Sequence, residues 1–386
     1  MSKNILIIGG DGYLGWPTAM HLSNKGHKVS VLDNFSKRRI ENEEGVSPLW
    51  SVPTLHERVK LWKEITGINI DLYVGDLLNE KFTYQILEKE QPDAIIHYGE
   101  QPSAPYSMKS LSNASFTQHN NVIGNLNLLF AMKSKCPRAH LIKLGTMGEY
   151  GQPNIDIEEG YIEINHNGRN DKFLFPKNPG SFYHLSKVHD TNNIFYACNI
   201  WGLRSTDLNQ GVVYGIDTAE TVLDNRLLTS FHYDDVFGTV LNRFCVQAAI
   251  NKPLTIYGNG SQTRTYLNIL DTLQCVELTV NNPPSEGEFK IYNQFTEKFS
   301  INDLAEKVKF AGQQLDIKVE IEQIENPRIE KENHYYNPKN DKLINLGLKP
   351  HHLDTEFIIK NINKILKVRS QINIDVINPR IKWKAN

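Results

Sequence analysis

Cysteine is scarce in this chain of 386 residues: Cys136, Cys198, Cys245 and Cys275 are the four, with no C-x-x-C pair among them. Such scattered cysteines suggest neither a disulfide framework nor a zinc site, and a reducing cytoplasm fits them. A surplus of one charge is lacking too. Lys and Arg number 42 against 44 Asp and Glu, for a formal net charge of -2, so a general nucleic-acid surface is not expected. No apolar run approaches the roughly 20 residues that cross a bilayer. Met1 passes directly into the apolar run Ile5–Ile8 with no charged leader or cleavage site, so neither membrane insertion nor a targeting segment is expected. With 40% apolar and 22% charged residues the chain is globular rather than disordered, and its partners are expected to be small molecules or other proteins. Its length suits one two-lobed enzyme better than several independent modules.

The first element, Asn4 to Ile8, is a short continuous apolar run of the kind a buried parallel strand needs. It ends on Gly9, Gly12 and Gly15, a G-x-x-G-x-x-G loop between that strand and the helical stretch Leu14 to Asn24. Glycines there allow a tight turn and let backbone N–H groups at a helix N-terminus meet a pyrophosphate. The second strand, Lys28 to Leu32, closes on Asp33, whose carboxylate would accept hydrogen bonds from ribose hydroxyls and repel a 2′-phosphate. NAD is therefore favoured over NADP, although Arg38 and Arg39 follow closely and pull the other way. Between Phe35 and Asn69 lies more chain than a βα connection requires, with a helix expected at about Leu55 to Ile65. A third strand, Ile70 to Val74, ends near Asp76, a carboxylate placed to meet an adenine amino group or to cap a loop.

A fourth strand, Ala94 to His97, runs into Gly99, Glu100 and Gln101 and on to Ser103 and Tyr106. Ligands of open α/β sheets sit beyond the carboxyl ends of the strands, so these residues point towards a site. A helix is expected over Gln118 to Lys133, and a fifth strand, His140 to Leu144, delivers Thr146 to the same edge. Tyr183 and Lys187 are spaced i and i+4 on a helix and so share a face. A free phenol titrates near 10. A neighbouring ammonium stabilises the phenolate and makes such a tyrosine a usable base near neutral pH, which suits hydride chemistry on an alcohol. Alone, Y-x-x-x-K is a weak signal; here the glycine loop, Asp33 and Thr146 support it. The stretches 152–179 and 222–235 read as further insertions that cover a site or carry subunit contacts.

The glycine loop, Asp33, Thr146, Tyr183 and Lys187 together resemble the extended short-chain dehydrogenase/reductases that act on nucleotide sugars. Longer strings narrow the resemblance: Gly99-Glu100-Gln101 with Ser103-Ala104-Pro105-Tyr106-Ser107, Leu144-Gly145-Thr146-Met147-Gly148-Glu149-Tyr150-Gly151, Tyr183-His184-Leu185-Ser186-Lys187, and Asp207 to Gly215 are similar to the UDP-sulfoquinovose synthase family, almost end to end and including the Trp383 tail. The resemblance implies an α/β fold, a doubly wound parallel Rossmann sheet for NAD over residues 1–214, and a smaller α/β nucleotide-sugar lobe over 215–386 that returns segments to the first. It implies UDP-glucose and sulfite as substrates, a tightly held NAD, and a homodimer, in the biosynthesis of a sulfolipid or sulfoglycan. Tyr183 would take the proton of the carbon-4 hydroxyl during its oxidation, with Lys187 lowering the phenol and Thr146 orienting the hydroxyl. Water then leaves across carbons 5 and 6, sulfite adds at carbon 6, and carbon 4 is reduced again.

The cofactor residues implied are Gly9, Asp11, Gly12, Tyr13, Leu14 and Gly15 in the loop, Asp33, Asn34 and Arg38 after the second strand, and Asp76, Leu77, Gly99 and Asn120, with Tyr183 and Lys187. Those implied for the substrate are Gln101, Ser103, Tyr106, Thr146, Met147, Gly148, Glu149 and Asn209, with Gln262, Arg264 and Arg328 for the UDP portion. In the related dehydratases an Asp-Glu pair follows the threonine; here Met147-Gly148 stands there. That departure makes simple dehydration a poorer fit and leaves His184 and Glu149 as nearby titratable candidates for the missing proton transfers, His184 more as a functional residue, which if protonated would instead attract sulfite, and Glu149 more as a packed one. A UDP-sugar 4-epimerase or 4,6-dehydratase, or a non-catalytic dinucleotide-binding regulator, are the alternatives.

Overall fold

The computed structural model describes residues 2–331 and 333–383. Seven strands form the central sheet: β1 (Asn4–Ile8), β2 (Lys28–Asp33), β3 (Ile70–Val74), β4 (Ala94–His97), β5 (His140–Thr146), β6 (Arg204–Gln210) and β7 (Phe289–Gln294). Their spatial order is β7-β6-β5-β4-β1-β2-β3, and every neighbouring pair is parallel. Such a sheet is covered on both faces, which is why β1 and β4 are apolar at successive positions rather than at alternate ones. In β1, Ile5 and Ile7 enter one core cluster with Trp16, Met20 and Val31, while Leu6 and Ile8 enter another with Leu128, Leu141 and Ile194. The chain reverses direction across the sheet between β1 and β4, and that switch point opens a crevice at the carboxyl ends of the strands.

Helix boundaries follow their caps. The insertion helix Leu55–Thr66 starts at Thr54, whose hydroxyl and Glu57 form a capping box, and stops at Gly67 in the left-handed region. The helix expected over Gln118 to Lys133 begins earlier, at Leu111, because Ser110 caps it by accepting from the Asn113 amide; it passes through a π turn at His119–Ile123 into Gly124–Lys135. The segment 152–179 holds an antiparallel hairpin, Tyr161–His166 with Arg169–Leu174, that was not expected.

After β6 the chain builds a second core. Val212–Tyr214, Thr263–Asn268 and Glu297–Ser300 make a three-stranded sheet, and Leu254–Tyr257 pairs with Ile321–Ile324. The helices Val240–Ala249, Ile301–Gln313 and Thr355–Lys367 bury Phe244, Leu304, Val308, Ile358 and Ile362 against these strands. Two segments return to the first core: β7 joins the edge of the large sheet beside β6, and the helix Ile269–Asn281 sets Cys275, Val276 and Val280 beside Trp16 and Met20. The basic tail is described as far as Trp383; Lys384 lies outside the described residues. Among the described residues no helix is long and apolar enough to cross a membrane, and the four cysteines are buried free thiols.

Candidate active site

A cleft of about 760 Å³ runs from the glycine loop, past the carboxyl ends of β4 and β5, to the second core. Its first end is built by close approach. Gly9 sits at φ +90°, and a Cβ there would lie 2.7 Å from the Tyr98 carbonyl carbon; at Gly15 it would lie 2.0 Å from the Gly9 oxygen. Only glycine lets the turn fold this tightly and keep its amides facing the cleft. Gly12, Tyr13 and Leu14 line the same wall. The Asp33 carboxylate accepts from the amides of Asp11 (2.8 Å) and Phe35 (2.7 Å), and burial pushes its pKa up to about 6. Asn34 donates to Asp76 at 3.0 Å, and both, with Leu77, Gly99 and Asn120, face the cleft. A loop that only glycines can make, ending at a carboxylate placed for ribose hydroxyls, fits a dinucleotide.

Arg38 does not face this cleft. Its Nε donates to Asp11 at 2.6 Å and its Nη atoms to the carbonyls of Val52 and Pro53. Arg58, fully buried, donates to the same Asp11 at 2.5 Å and stacks on Trp16. The long insertion thus acts as a brace: its helix and the loop before it clamp the glycine loop through Asp11. The guanidinium that weakened the preference for NAD is consumed in that clamp.

Thr146 ends β5, with its hydroxyl accepting from the Gly148 amide at 3.1 Å and its own amide donating to Glu149 at 3.1 Å. The helix Phe182–Trp201, capped by Ser181, brings Tyr183 and His184 to the cleft wall opposite. Lys187 lies one turn on, with Nζ 5.8 Å from the Tyr183 ring centroid, 2.6 Å from the Leu144 carbonyl and 2.9 Å from a Glu100 oxygen. Burial raises the Tyr183 phenol; Lys187 opposes that and Glu100 adds to it. His184 bonds Ser181 Oγ through Nδ1 at 2.9 Å, and its pKa falls to about 4, first through burial and then through the positive charge of Arg328, so the ring is neutral at neutral pH. Its Nε2 occupies the space beside Gly148: a Cβ there would lie 2.4 Å away. Met147, buried, packs with Tyr150, Ile157, Phe175 and Phe295.

Glu149 is off the wall. It is fully buried between Lys143 (3.3 Å) and Lys177, and these two, Lys143 first, overcome the upward push of burial to hold its pKa at about 2. Lys143 is itself fully buried and also reaches Asp207, Thr191 and the Lys187 carbonyl. This carboxylate is a fixed charge under the site and has no proton to give. Asn209 is likewise inside the sheet, donating to the Tyr150 hydroxyl at 2.7 Å. Gln101 and Ser103 also turn inward: Gln101 bonds Thr117 and the Ser103 carbonyl, and Ser103 bonds the Val236 carbonyl. Tyr106 packs edge-on against Phe116 in the second core. None of these side chains lines the cleft.

At the far end of the cleft Gln262, Arg264 and Arg328 meet. Arg264 pairs with Glu330 and donates to the Thr263 carbonyl at 2.9 Å, while Arg328 stacks 5.3 Å from the Trp383 ring. Two guanidiniums on one wall suit a diphosphate. Arg243, absent from the residues picked out of the sequence, also reaches this wall, 4.1 Å over the Tyr257 ring. Its signal was an arginine on the apolar face of the helix Val240–Ala249.

Three comparisons bear on the site. The model of the NAD dependent epimerase/dehydratase family matches residues 5–293. The UDP-sulfoquinovose synthase of Spinacia oleracea, named as chloroplastic, is 51% identical over 99% of this chain and 79% of its own length. The UDP-sulfoquinovose synthase of Sulfolobus acidocaldarius is 43% identical over 98% of this chain and 97% of its own. Among solved structures, the UDP-glucose 4-epimerase of Thermotoga maritima with UDP-glucose superposes with a TM-score of 0.69 at 19% identity, over 94% of this chain and 99% of that one, a likeness of fold.

Proposed function

The chain belongs to the NAD dependent epimerase/dehydratase family, and within it to the UDP-sulfoquinovose synthases, and from that premise we propose that it converts UDP-glucose and sulfite to UDP-sulfoquinovose. NAD, seated by the glycine loop and Asp33, supplies the oxidation at carbon 4 and its reversal at the end of the cycle. Tyr183 takes the proton of the carbon-4 hydroxyl, Lys187 stabilises the phenolate, and Thr146 orients the hydroxyl. Oxidation at carbon 4 acidifies the hydrogen on carbon 5. His184, neutral at rest, accepts that proton and gives it to the departing carbon-6 hydroxyl, so water leaves. Bisulfite then passes its proton through His184 to carbon 5 as the carbon–sulfur bond forms at carbon 6. The sum is UDP-glucose and bisulfite in, UDP-sulfoquinovose and water out. Arg264 and Arg328 hold the diphosphate, with Gln262 beside them.

One observation carries sulfite addition over plain dehydration: Met147 and Gly148 follow Thr146, and the volume a Gly148 side chain would fill is held by His184 Nε2. An apolar thioether and a hydrogen atom supply no carboxyl acid–base pair there, and His184 is left as the single proton carrier, so the unsaturated ketone waits for a nucleophile. Mass spectrometry of the products from UDP-glucose, with and without sulfite, tests this. A sulfonated UDP-hexose formed with sulfite supports it, and efficient sulfite-free release of a 4-keto-6-deoxy sugar contradicts it.

A homodimer belongs to the same proposal. Tyr196 and Ile200 are 62% and 47% exposed on the helix Phe182–Trp201, beside Phe130 at 48% on the neighbouring helix. Apolar side chains gathered on one face support a subunit contact, and light scattering on the purified protein reads the mass. The four buried thiols support a reducing compartment such as the cytoplasm.

A further inference from the structure

Glu100 is used by no step above. It follows Gly99 at the carboxyl end of β4, on the cleft wall, and its side chain is 2% exposed. A carboxylate so buried is costly unless it is paired and hydrogen-bonded. Among the described residues Glu100 has one close partner, the Lys187 ammonium at 2.9 Å, and no amide or hydroxyl donates to either oxygen. Behind it His97 Nε2 lies 3.9 Å from the other oxygen, and burial lowers that imidazole to about 4, so it brings no charge at neutral pH. A neutral side chain would fill the space but would leave the buried Lys187 ammonium without its counter-ion.

We propose that Glu100 is the counter-ion of Lys187 and favours the protonated form of the Tyr183 phenol. An ammonium has three donors. One goes to the Leu144 carbonyl at 2.6 Å and one faces Glu100, so the charge that would otherwise act on Tyr183 alone is shared. The other groups around the phenol do not replace it. Behind the phenol, Lys143 and Lys177 balance Glu149 and Asp207. On the helix of Tyr183 itself, His184 is neutral, and burial, with the Glu100 charge next, holds Asp190 towards its protonated form. Across the cleft Arg264 is paired with Glu330, and Arg328 lies over Trp383. Beyond burial, which raises the phenol, the charge balance at Tyr183 is set first by Lys187 against Glu100 and then by Glu149 against Lys143. Glu100 acts through Lys187 and through space, as a positioning residue.

The inference rests on the reading of Tyr183 as the base, and its first readout, the phenolate titration, needs no sulfite. The protein has 16 tyrosines, so the near-ultraviolet phenolate band of Tyr183 is isolated as the difference between each protein and its Tyr183→Phe counterpart during an alkaline titration. In Glu100→Gln that difference band moves to lower pH by about tenfold in proton activity, the order Coulomb's law gives for removing a charge a few ångströms away. The rising limb of kcat/KM against pH moves the same way. Glu100→Asp, which withdraws the carboxylate by one methylene, moves both by less. A phenolate band at the parental pH in both variants overturns the proposal, as does a limb that moves while the band stays. Failure of the sulfonation assay with a moved band would instead count against the substrate reading alone.

Discussion

Replacing Gly148 by alanine tests the claim that glycine stands there to admit His184. The residue has no left-handed φ, so a methyl group brings no backbone strain, and its whole cost falls on the ring: Cβ would lie 2.4 Å from Nε2 and 2.5 Å from Cδ2. The imidazole is the far end of a side chain and can swing, but swinging breaks the 2.9 Å bond to Ser181 and the stacking on Tyr183, whose ring centroid is 5.0 Å away. A lost hydrogen bond is worth about 0.5–1.5 kcal/mol, and an overpacked site costs about 1–3 kcal/mol when nothing yields. Gly148→Ala is therefore expected to destabilise the fold by about 1–3 kcal/mol. In a His184→Ala background the obstacle is gone, and the same substitution is expected to cost under about 0.5 kcal/mol. Denaturant unfolding of the four proteins gives the coupling. Equal cost in both backgrounds refutes the steric reasoning.

Tyr183→Phe removes the reacting hydroxyl and little volume, so turnover is expected to fall about 100- to 10,000-fold with bound cofactor unchanged; near-normal turnover would remove the residue from the base role. His184→Ala is expected to weaken sulfonation far more than UDP-glucose binding, read as a kcat about 100- to 10,000-fold lower with the KM for UDP-glucose little changed, and near-normal kcat would contradict the proton shuttle. Lys143→Met leaves Glu149 and Asp207 without a shared cation in a fully buried site, and is expected to cost about 3–5 kcal/mol in denaturant unfolding. Glu149 is held at about 2, below its unfolded value. The stability it contributes is complete above the unfolded carboxylate pKa and is lost as pH falls towards 2, so the acid limb of the parent's stability curve should flatten in Lys143→Met.

The framework was legible in the sequence where a function is written in short-range spacing. Three glycines between an apolar run and a helix, an aspartate at the end of the next strand, and Tyr183 with Lys187 one turn apart each carry their geometry with them. Side-chain direction at strand ends does not travel that way. Gln101, Ser103 and Tyr106 follow β4 and Asn209 lies one residue before the end of β6, yet each turns into the packing: the helix Leu111–Gln118 and the second core supply partners for the first three, and Tyr150 for Asn209, that only tertiary structure brings near. Glu149 was placed by two lysines, one of them in the distant segment at 177. The hairpin Tyr161–Leu174 did have a local signal, Asn167-Gly168 between alternating residues, with both at positive φ. Its exposed faces gave no apolar pattern to reinforce it.

The central claim is that carbon 4 is oxidised and reduced within one closed cycle at Tyr183 and Lys187. UDP-glucose carrying deuterium on carbon 4 tests it most directly, with sulfite present and NADP-free, unlabelled NAD in solution. The account predicts a sulfonated product that keeps its deuterium on carbon 4 and no deuterated NADH in solution. Loss of the label from carbon 4, or its appearance in released NADH, would contradict it.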